Sequence, residues 1–375
     1  MRSNYLRLMI SILIVSTGCL MGSDDKKEPV EEEYPPVPDG RRFREIVADK
    51  YPNGNFFVGT ACHHRLLGTP TETILDREFS YVTPANDFKQ TAGHPEPGKW
   101  DWSNADDWVA HCAENNQVMR LHAPISPQCS KWAKDDSRTS EELRQNLEEY
   151  VTALCQRYNG YSHIKWLDVV NETVSRDGTW FGPREGTDKW ENPWLILGQT
   201  EDAENFPLYI KYAFELANEH APNLKQIINQ HGSMEPEMWE KVKATVGWLR
   251  GQGLRVDGIG WQAHVDVGWE KEPGNVEYLR GLIDWAHGNN LEFHVTENNI
   301  KIKDDPEGQW DAQAETFAAI VQVVKEKSAN GVTSWNLWHI GDDDSQSRQY
   351  APCMWFTDYT PKPAYYAVQQ VLEQQ

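Results

Sequence analysis

Two glutamates end apolar segments in which a charged side chain has no evident structural purpose. Glu172 closes "KWLDVVNE", residues 165–172, and Glu297 closes "LEFHVTE", residues 291–297. Short apolar runs rich in β-branched residues are typical of buried strands. Removing a carboxylate from water is costly unless other groups hold it in place. We therefore interpret both glutamates as candidates for catalysis, with a purely structural ion-pair role as the alternative.

Two carboxyl groups that meet across one cleft can cleave a glycosidic bond. One donates a proton to the departing oxygen, and the other attacks the anomeric carbon or activates water. Asn171 precedes Glu172 and is placed to hold a sugar hydroxyl, whereas Gln262 and His264 end a neighbouring apolar segment. We expect Gln262 and His264 to hydrogen-bond either Glu297 or the substrate, which would keep the pKa of Glu297 low, as a nucleophile requires. Glu172 is expected to lie in more apolar surroundings, which would raise the pKa of its carboxyl group, as the acid requires.

Eight apolar or β-rich segments alternate with amphipathic segments along the chain. This alternation predicts a parallel sheet, and eight strands are the number that closes a single (β/α)₈ TIM barrel. Ser140 followed by Glu141 and Glu142 indicates the start of a helix over 140–158; further helices are predicted over 207–219, 236–250, 277–289 and 312–330. The predicted strands are Phe56–Cys62, Phe79–Asn86, Val118–Ile125, Lys165–Glu172, Gln226–Gln230, Gly258–His264, Leu291–Glu297 and Gly331–Trp338.

A doubly wound open sheet is the structural alternative, but its glycine-rich phosphate turn is missing. The nearest candidate, "GQGLRV", has Val256 where the third glycine is needed. In a barrel, functional residues lie at the carboxyl ends of the strands. Glu172 and Glu297 end the fourth and seventh predicted strands, which face each other across an eight-stranded ring. We therefore predict that their carboxyl groups lie about 5–5.5 Å apart.

Composition narrows the range of partners. The chain carries 57 acidic and 36 basic residues, a net charge of −21. Such a surface repels nucleic acid and anionic lipid. The chain also has 17 Trp and 14 Tyr, which serve either as core or as stacking surfaces for sugars. We expect a monomer that binds a polysaccharide and uses no cofactor.

The N-terminal segment has the layout of an export signal. Arg2 and Arg7 precede an apolar run, and small residues follow it before Cys19. We predict a signal peptide over 1–18, an acidic and proline-rich disordered tether over 19–40 and the catalytic barrel over 41–375. If Cys19 becomes lipidated, the protein is a bacterial cell-surface or periplasmic lipoprotein anchored in the outer membrane; otherwise it is secreted.

Cysteine and histidine spacing does not indicate a metal centre. Without Cys19, five cysteines remain and none forms a CxxC pair, so either one disulfide or buried free thiols are compatible with the sequence. The 12 histidines include no HExxH motif, and no GxSxG elbow of a serine hydrolase occurs. We therefore predict no metal site.

Four ordered stretches resemble glycoside hydrolase family 10, the retaining endo-β-1,4-xylanases. "WLDVVNE" is similar to the family's acid/base strand, "VDGIGWQAHV" to its I-D-G-I-G-x-Q-x-H stretch, "HVTEN" to its nucleophile strand and "TPKPAYYAV" to its closing helix. The resemblance extends from about Tyr51 to Val371. It implies that Glu172 is the acid/base and Glu297 the nucleophile, with a covalent glycosyl-enzyme intermediate and net retention of configuration.

The resemblance is weaker at the subsites on the non-reducing side of the cleaved bond. "TPANDFKQ", "RLHAPISP" and "WHIGDDDSQ" match the family's substrate-binding motifs only in part. Ala85, Gln90, Ser126 and Gln346 replace a glutamate and three tryptophans, and Asn299 replaces an aspartate. The residues that the resemblance implies in substrate binding are Asn86, Lys89, His122, Asn171, Gln262, His264 and Trp338.

An endo-1,4-β-xylanase is therefore the leading hypothesis. The altered subsites leave open a retaining enzyme of the same family that acts on a different or decorated β-glycan. A non-catalytic carbohydrate-binding protein on a degenerate barrel is the alternative from another class.

Overall fold

A computed structural model describes residues 34–186 and 190–374. The predicted signal peptide, Cys19 and residues 19–33 of the predicted tether lie outside the described residues. Residues 34–40, which we assigned to the same tether, contact the barrel: Arg77 donates hydrogen bonds to the carbonyl oxygens of Pro35 and Pro36, and the Tyr34 ring packs edge-on against Tyr359. The barrel unit accordingly begins at Tyr34, before the predicted boundary at residue 41.

Eight parallel strands form a closed barrel, as the sequence predicts. In chain order the strands are β1 (Phe56–Cys62), β2 (Tyr81–Pro84), β3 (Val118–Leu121), β4 (Ile164–Asn171), β5 (Lys225–Gln230), β6 (Gly258–Trp261), β7 (His264–Asp266), β8 (Glu292–Lys301) and β9 (Thr333–Trp338). From β1 to β6 each strand pairs with the next, β8 pairs with β9, β9 pairs with β1, and pairing of β6 with β8 completes the ring. The short β7 lies outside this ring and pairs with the carboxyl-terminal part of β8.

Helices pack around the barrel, and the five predicted ones are found within a few residues of their predicted limits. At the longest helix the N-cap is Thr139 rather than the predicted Ser140. The Thr139 side chain accepts a hydrogen bond from the Glu142 amide, and Glu142 accepts one from the Thr139 amide in return. The helices are α1 (Phe43–Lys50), α2 (Pro70–Glu78), α3 (Gln90–Gly93), α4 (Ser103–Glu114), α5 (Ser140–Tyr158), α6 (Leu208–His220), α7 (Pro236–Gly251), α8 (Asn275–Gly288), α9 (Trp310–Lys327) and α10 (Pro363–Glu373).

Several strands end differently from their prediction. β3 stops at Leu121, and Ile125 keeps only an isolated bridge to Val170. β6 stops at Trp261 because Ala263 adopts a left-handed backbone conformation, with φ of +59°, before His264 opens β7. β8 continues past Glu297 to Lys301, where it pairs with β7. These departures lie at the carboxyl ends of the strands, where the chain leaves regular pairing to form the site.

The barrel interior contains a buried polar group near its middle. Arg120 on β3 forms an ion pair with Asp168 on β4, donates from Nε to the Tyr81 hydroxyl, and lies 5.5 Å from the centre of the Trp166 ring. All four side chains are buried. The apolar core proper lies between the barrel and the surrounding helices. The interior is therefore filled with side chains rather than open, and its polar centre reaches toward the carboxyl end.

The five described cysteines are buried and free, so of the two possibilities the free thiols are present. They are Cys62, Cys112, Cys129, Cys155 and Cys353. Within the described ranges, no helix combines the length and the apolar character needed to cross a bilayer.

Candidate active site

Glu172 is the residue that directly follows β4, and its backbone is strained. Its φ of +53° is uncommon for a residue with a side chain. A hydrogen bond from its amide to the Asn229 carbonyl oxygen, 3.0 Å long, holds this conformation. The half-buried carboxylate accepts hydrogen bonds from Gln262 Nε2 at 2.8 Å and Asn171 Nδ2 at 3.3 Å. The expectation of apolar surroundings for Glu172 is therefore wrong, because two side-chain amides hold it.

Glu297 lies within β8 and is only 4% exposed. Its Oε1 accepts a hydrogen bond from Asn229 Nδ2 at 2.9 Å and lies 3.6 Å from His122 Nε2; its Oε2 lies 3.3 Å from His264 Nε2. Burial by itself would raise the pKa of Glu297. The positive charge of His122, the hydrogen bond and charge of His264 and the charge of Lys89 outweigh burial and lower it to about 2. This carboxylate is therefore ionised at neutral pH, as predicted.

One hydrogen-bond network joins the two glutamates. Asn171 Oδ1 accepts from Gln262 Nε2 at 3.2 Å and from Asn229 Nδ2 at 3.0 Å. The second proton of Gln262 Nε2 goes to Glu172, and the second proton of Asn229 Nδ2 goes to Glu297. Of the two residues expected to bond either Glu297 or the substrate, His264 contacts Glu297 through its ring, whereas the Gln262 side chain bonds Glu172 and only its carbonyl oxygen accepts from the Glu297 amide.

His264 is oriented by a residue beyond the predicted end of its strand. Asn299, in the extension of β8, places Oδ1 3.1 Å from His264 Nδ1. This contact turns His264 Nε2 toward Glu297. Asn299 occupies the position at which the resemblance leads one to expect an aspartate. The amide oxygen keeps the orienting hydrogen bond but carries no charge.

Two residues of the network were missed by the sequence analysis. Asn229 connects both halves of the site, and its own Oδ1 accepts from the Thr296 hydroxyl at 2.8 Å. Asp168 accepts from His122 Nδ1 at 2.8 Å, which aims the other ring nitrogen at Glu297. A charged residue inside the apolar run "WLDVV" was the available signal for Asp168, because such a charge needs a buried partner.

Of the remaining predicted substrate-binding residues, Lys89 lies close enough to Glu297 to help lower its pKa, and Trp338 packs beside its partner His264. Lys89 is buried and donates from Nζ to Gln128 Oε1 at 2.9 Å; burial lowers its pKa, which the charge of Glu297 opposes. Trp338 contacts His264 edge-on, with ring centres 5.8 Å apart. Among the described residues, Asn86 Oδ1 and His122 Nε2 are buried without a hydrogen-bond partner. Buried polar atoms of this kind are normally satisfied by a ligand or by water.

The substituted positions are not equivalent in the structure. Gln90 is fully buried, and its amide bonds Ser130, Asn146 and the His94 carbonyl oxygen, so its polar atoms are already paired within the protein. Ser126 is also buried, and its carbonyl oxygen accepts from Trp194. Gln346 is exposed. Of these three substitutions, only the one at Gln346 leaves an open surface.

His339 was also missed, although it directly follows Trp338. Its φ of +72° is left-handed, and its ring stacks on His63 with centres 4.6 Å apart. Burial lowers the pKa of His339 well below its usual value. Within the described chain, both of its ring nitrogens lack a partner. His339 therefore places two unpaired ring nitrogens beside the Trp338 ring.

One group outside the site has the residue types of a metal centre. Glu72, Asp76 and His111 lie together on α2 and α4. His111 Nε2 is 2.9 Å from Asp76, and its Nδ1 is 3.6 Å from Glu72. The hydrogen bond to Asp76 raises the pKa of His111. Carboxylates at both ring nitrogens fit an imidazolium ion pair better than a metal ligand, which needs one bare nitrogen.

A closed (β/α)₈ barrel with two networked glutamates at the carboxyl ends of its strands is characteristic of glycoside hydrolases. The sequence model of the family described as "Glycosyl hydrolase family 10" matches residues 47–371 of the chain. The chain belongs to this family, as its motifs predicted.

Relatives and solved structures agree with this assignment. The chain is 29% identical over 352 residues to endo-1,4-beta-xylanase A of Caldicellulosiruptor sp. (strain Rt8B.4), covering 89% of this chain and 48% of that protein. It is 28% identical over 348 residues to endo-1,4-beta-xylanase A of Humicola insolens, and the match covers 89% of this chain and 81% of that protein. Xylanase 10B from Thermotoga petrophila RKU-1, solved in complex with xylobiose, superposes with a TM-score of 0.75 at 26% identity over 90% of this chain and 98% of that chain. The chain spans about half the length of the first of these relatives.

Proposed function

We propose that the protein is a retaining endo-1,4-β-xylanase in which Glu297 is the nucleophile and Glu172 the acid/base. The observation that carries this proposal is the single network in which Asn229, Asn171 and Gln262 link an ionised, buried Glu297 to Glu172. The network fixes both carboxyl groups at one end of the barrel. Retaining hydrolysis needs such a fixed pair, one member ionised and the other able to carry a proton.

In the first step, a Glu297 carboxylate oxygen attacks the anomeric carbon, and the bond from that carbon to the leaving oxygen breaks. Glu172 transfers its proton to that oxygen, so the shortened chain departs as an alcohol. His264 and Asn229 hold one oxygen each of Glu297. These contacts fix the direction of attack before the substrate arrives, which lowers the entropic cost of the step.

In the second step, water hydrolyses the glycosyl ester. Glu172, now a carboxylate, takes a proton from water as the water oxygen bonds the anomeric carbon, and Glu297 is released. The hydrogen bond from Gln262 to Glu172 keeps this carboxyl group in one orientation through both steps. Two displacements at one carbon give net retention of configuration.

Xylan is proposed as the substrate because the named relatives are xylanases and a related structure holds xylobiose. His122, whose Nε2 lies 3.6 Å from Glu297, and Trp338, which packs beside His122 and His264, support binding of a pyranose at the nucleophile, and the family resemblance adds Asn86 to this group. A decorated β-glycan remains the second candidate, and the exposed Gln346 favours it, because no aromatic wall closes that position.

Product analysis tests the proposal. The full chain is incubated with unbranched xylan, β-1,4-glucan and mixed-linkage glucan, and products are followed by chromatography from the earliest times. We expect xylo-oligosaccharides of mixed length from xylan, as internal cleavage requires. Glu297→Gln should release none and provides the control for contaminating activity. Release of xylose alone, or faster cleavage of a glucan, would refute the proposed substrate and mode.

Export and lipidation at Cys19 are proposed on the N-terminal sequence alone. Cys19→Ser should move the protein from the membrane fraction to the soluble exported fraction and abolish incorporation of labelled palmitate. Equal distribution of both variants would contradict the anchor.

A further inference from the structure

Two stacked histidines at the carboxyl ends of β1 and β9 have no part in the proposed mechanism. His63 directly follows β1, and His339 directly follows β9. The centres of their rings lie 4.6 Å apart, and the ring planes are 29° from parallel. Neither residue is among those that the family resemblance implies in substrate binding. The pair therefore needs an explanation of its own.

His339 is held in a conformation that costs free energy in two ways. It is only 1% exposed, yet over the described residues neither of its ring nitrogens has a hydrogen-bond partner. Its φ of +72° is uncommon for a residue that carries a Cβ atom. Strained backbone and unpaired buried polar atoms are both typical of ligand sites. His63 is half-buried, so the pair is accessible from solvent through His63.

Both imidazoles are uncharged at neutral pH, which decides the kind of ligand that they fit. Burial lowers the pKa of His63, and burial together with the charge of His63 lowers the pKa of His339 well below its usual value. A neutral imidazole has one N–H donor and one bare acceptor nitrogen. A hydroxyl group also donates and accepts, whereas a carboxylate only accepts. Because the two ring planes are nearly parallel, their nitrogens point side by side rather than toward one point, as metal ligands must.

The end of β2 adds a further unpaired polar atom next to this pair. β1 lies between β9 and β2 in the ring, and the Ala85 amide donates to the Cys62 carbonyl oxygen at 3.0 Å. The residues that follow, Asn86 and His63, are therefore neighbours at the ends of their strands. Asn86 Oδ1 is buried without a partner in the described part of the chain. Ala85 stands where the resemblance leads one to expect a glutamate, so the histidine pair supplies polar atoms beside a position that has lost one.

The pair lies across the barrel mouth from the proposed acid/base. In the ring of eight strands β9 is opposite β4, which ends next to Glu172. The acid/base stands at the leaving oxygen, so the opposite side receives the non-reducing part of the chain. His264 Nε2 lies 3.3 Å from Glu297, and the Trp338 ring centre lies 5.8 Å from that of His264. The His339 ring is a further 4.7 Å from Trp338. It is thus two contacts beyond His264, a position that matches the second sugar rather than the sugar that is attacked.

We infer that His63 and His339 together bind hydroxyl groups of the second sugar on the non-reducing side of the cleaved bond. The inference rests on the proposed function and deepens it by assigning two further specificity-determining residues to this sugar. Each neutral ring donates one hydrogen bond and accepts another, and the half-buried Trp338 ring beside them offers an aromatic face to the sugar. Neither histidine touches the reacting atoms.

The test varies the number of sugars on this side of the bond. An aryl β-xyloside fills only the position that is attacked, whereas the aryl β-xylobioside with the same leaving group also fills the second position. His339→Gly removes the ring and suits the left-handed backbone. We expect it to lower kcat/KM on the xylobioside about tenfold, as the loss of two hydrogen bonds between uncharged groups would give. The loss on the xyloside should be at least about fivefold smaller.

Two further variants separate binding from a structural effect. His339→Asn keeps a donor and an acceptor, and asparagine tolerates the left-handed conformation, so this variant should stay within about threefold of the wild type on the xylobioside. Asn116→Gly is the matched control, because Asn116 also has a left-handed φ, +54°, but precedes β3 at the other end of the barrel. It should leave the rates on both substrates unchanged. Thermal unfolding establishes that each variant is folded.

Equal losses on the two aryl glycosides in folded His339→Gly would overturn the inference, and so would an equal loss in His339→Asn and His339→Gly. His63→Phe keeps a flat ring against His339 but removes two nitrogens, and should lower kcat/KM on the xylobioside about threefold. Full activity of that variant would overturn the assignment of His63. These results leave the proposed function standing, whereas a wild type that does not cleave the xylobioside would refute the proposed function as well.

Discussion

Replacement of His264 by alanine should shift the acidic limit of activity. His264 contributes both a hydrogen bond and a charge to Glu297, whose pKa of about 2 compares with an ordinary value of 4.5. That difference corresponds to about 3 kcal/mol in favour of the ionised carboxylate. Burial opposes it, and the favourable part is shared among His122, His264 and Lys89. If His264 supplies about one third of the favourable part, which exceeds the net difference, its removal costs at least about 1 kcal/mol and raises the pKa of Glu297 by about one unit or more.

The acidic limb of the pH profile should move to higher pH. A raised pKa means that Glu297 is protonated, and so inactive as a nucleophile, at a higher pH than in the wild type. The measurement is kcat/KM against pH on an aryl β-xylobioside with an activated leaving group, because this parameter reports ionisations of the free enzyme. An activated leaving group reduces the need for proton donation by Glu172, so the acidic limb reports Glu297.

The matched control is His220→Ala, which removes an imidazole from the end of α6, on the outer layer of helices. Its profile should coincide with that of the wild type. Thermal unfolding of both variants at neutral pH establishes that they are folded. An acidic limb that stays in place, or moves to lower pH, in a folded His264→Ala variant would refute the electrostatic account of Glu297.

Three further substitutions test other parts of the site. Glu172→Ala should lower kcat by about 10²–10⁴-fold on poor leaving groups, and azide should partly restore turnover of activated aryl glycosides; lack of rescue would argue against the acid/base role. Gly260→Ala should lower activity and melting temperature together, because an added Cβ would lie 2.4 Å from Asn229 Oδ1; unchanged kinetics would show that the Asn229 network is dispensable. Gln346→Trp should raise the rate on unbranched xylan relative to branched xylan, and equal ratios across a xylan panel would show that this position does not select substrate.

The barrel was predictable because its signals are local and repeated. The apolar run of β4 and the capped helix α5 each identify themselves without knowledge of the rest of the chain. Alternating strands and helices then leave few possible topologies. The exact strand ends were not predictable. They depend on single backbone conformations, such as the left-handed Ala263 that separates β6 from β7, and no periodicity encodes these.

The two glutamates were predictable for a different reason. A carboxylate at the end of an apolar run conflicts with the surrounding pattern, and such conflicts mark functional positions. The partners of these glutamates were less visible, because amides are unremarkable near strand ends. Asn229 and Gln262 could be assigned to Glu297 and Glu172 only once the register between strands was known.

The most direct test of the double-displacement mechanism is to trap the covalent intermediate. The full chain is treated with an activated 2-deoxy-2-fluoro-β-xylobioside, and its mass is measured before and after peptide digestion. We predict the addition of one fluoroxylobiosyl group, located on Glu297, with no labelling of Glu297→Gln. A labelled residue other than Glu297, or products of inverted configuration from an unlabelled but active enzyme, would contradict the assignment of Glu297 as nucleophile.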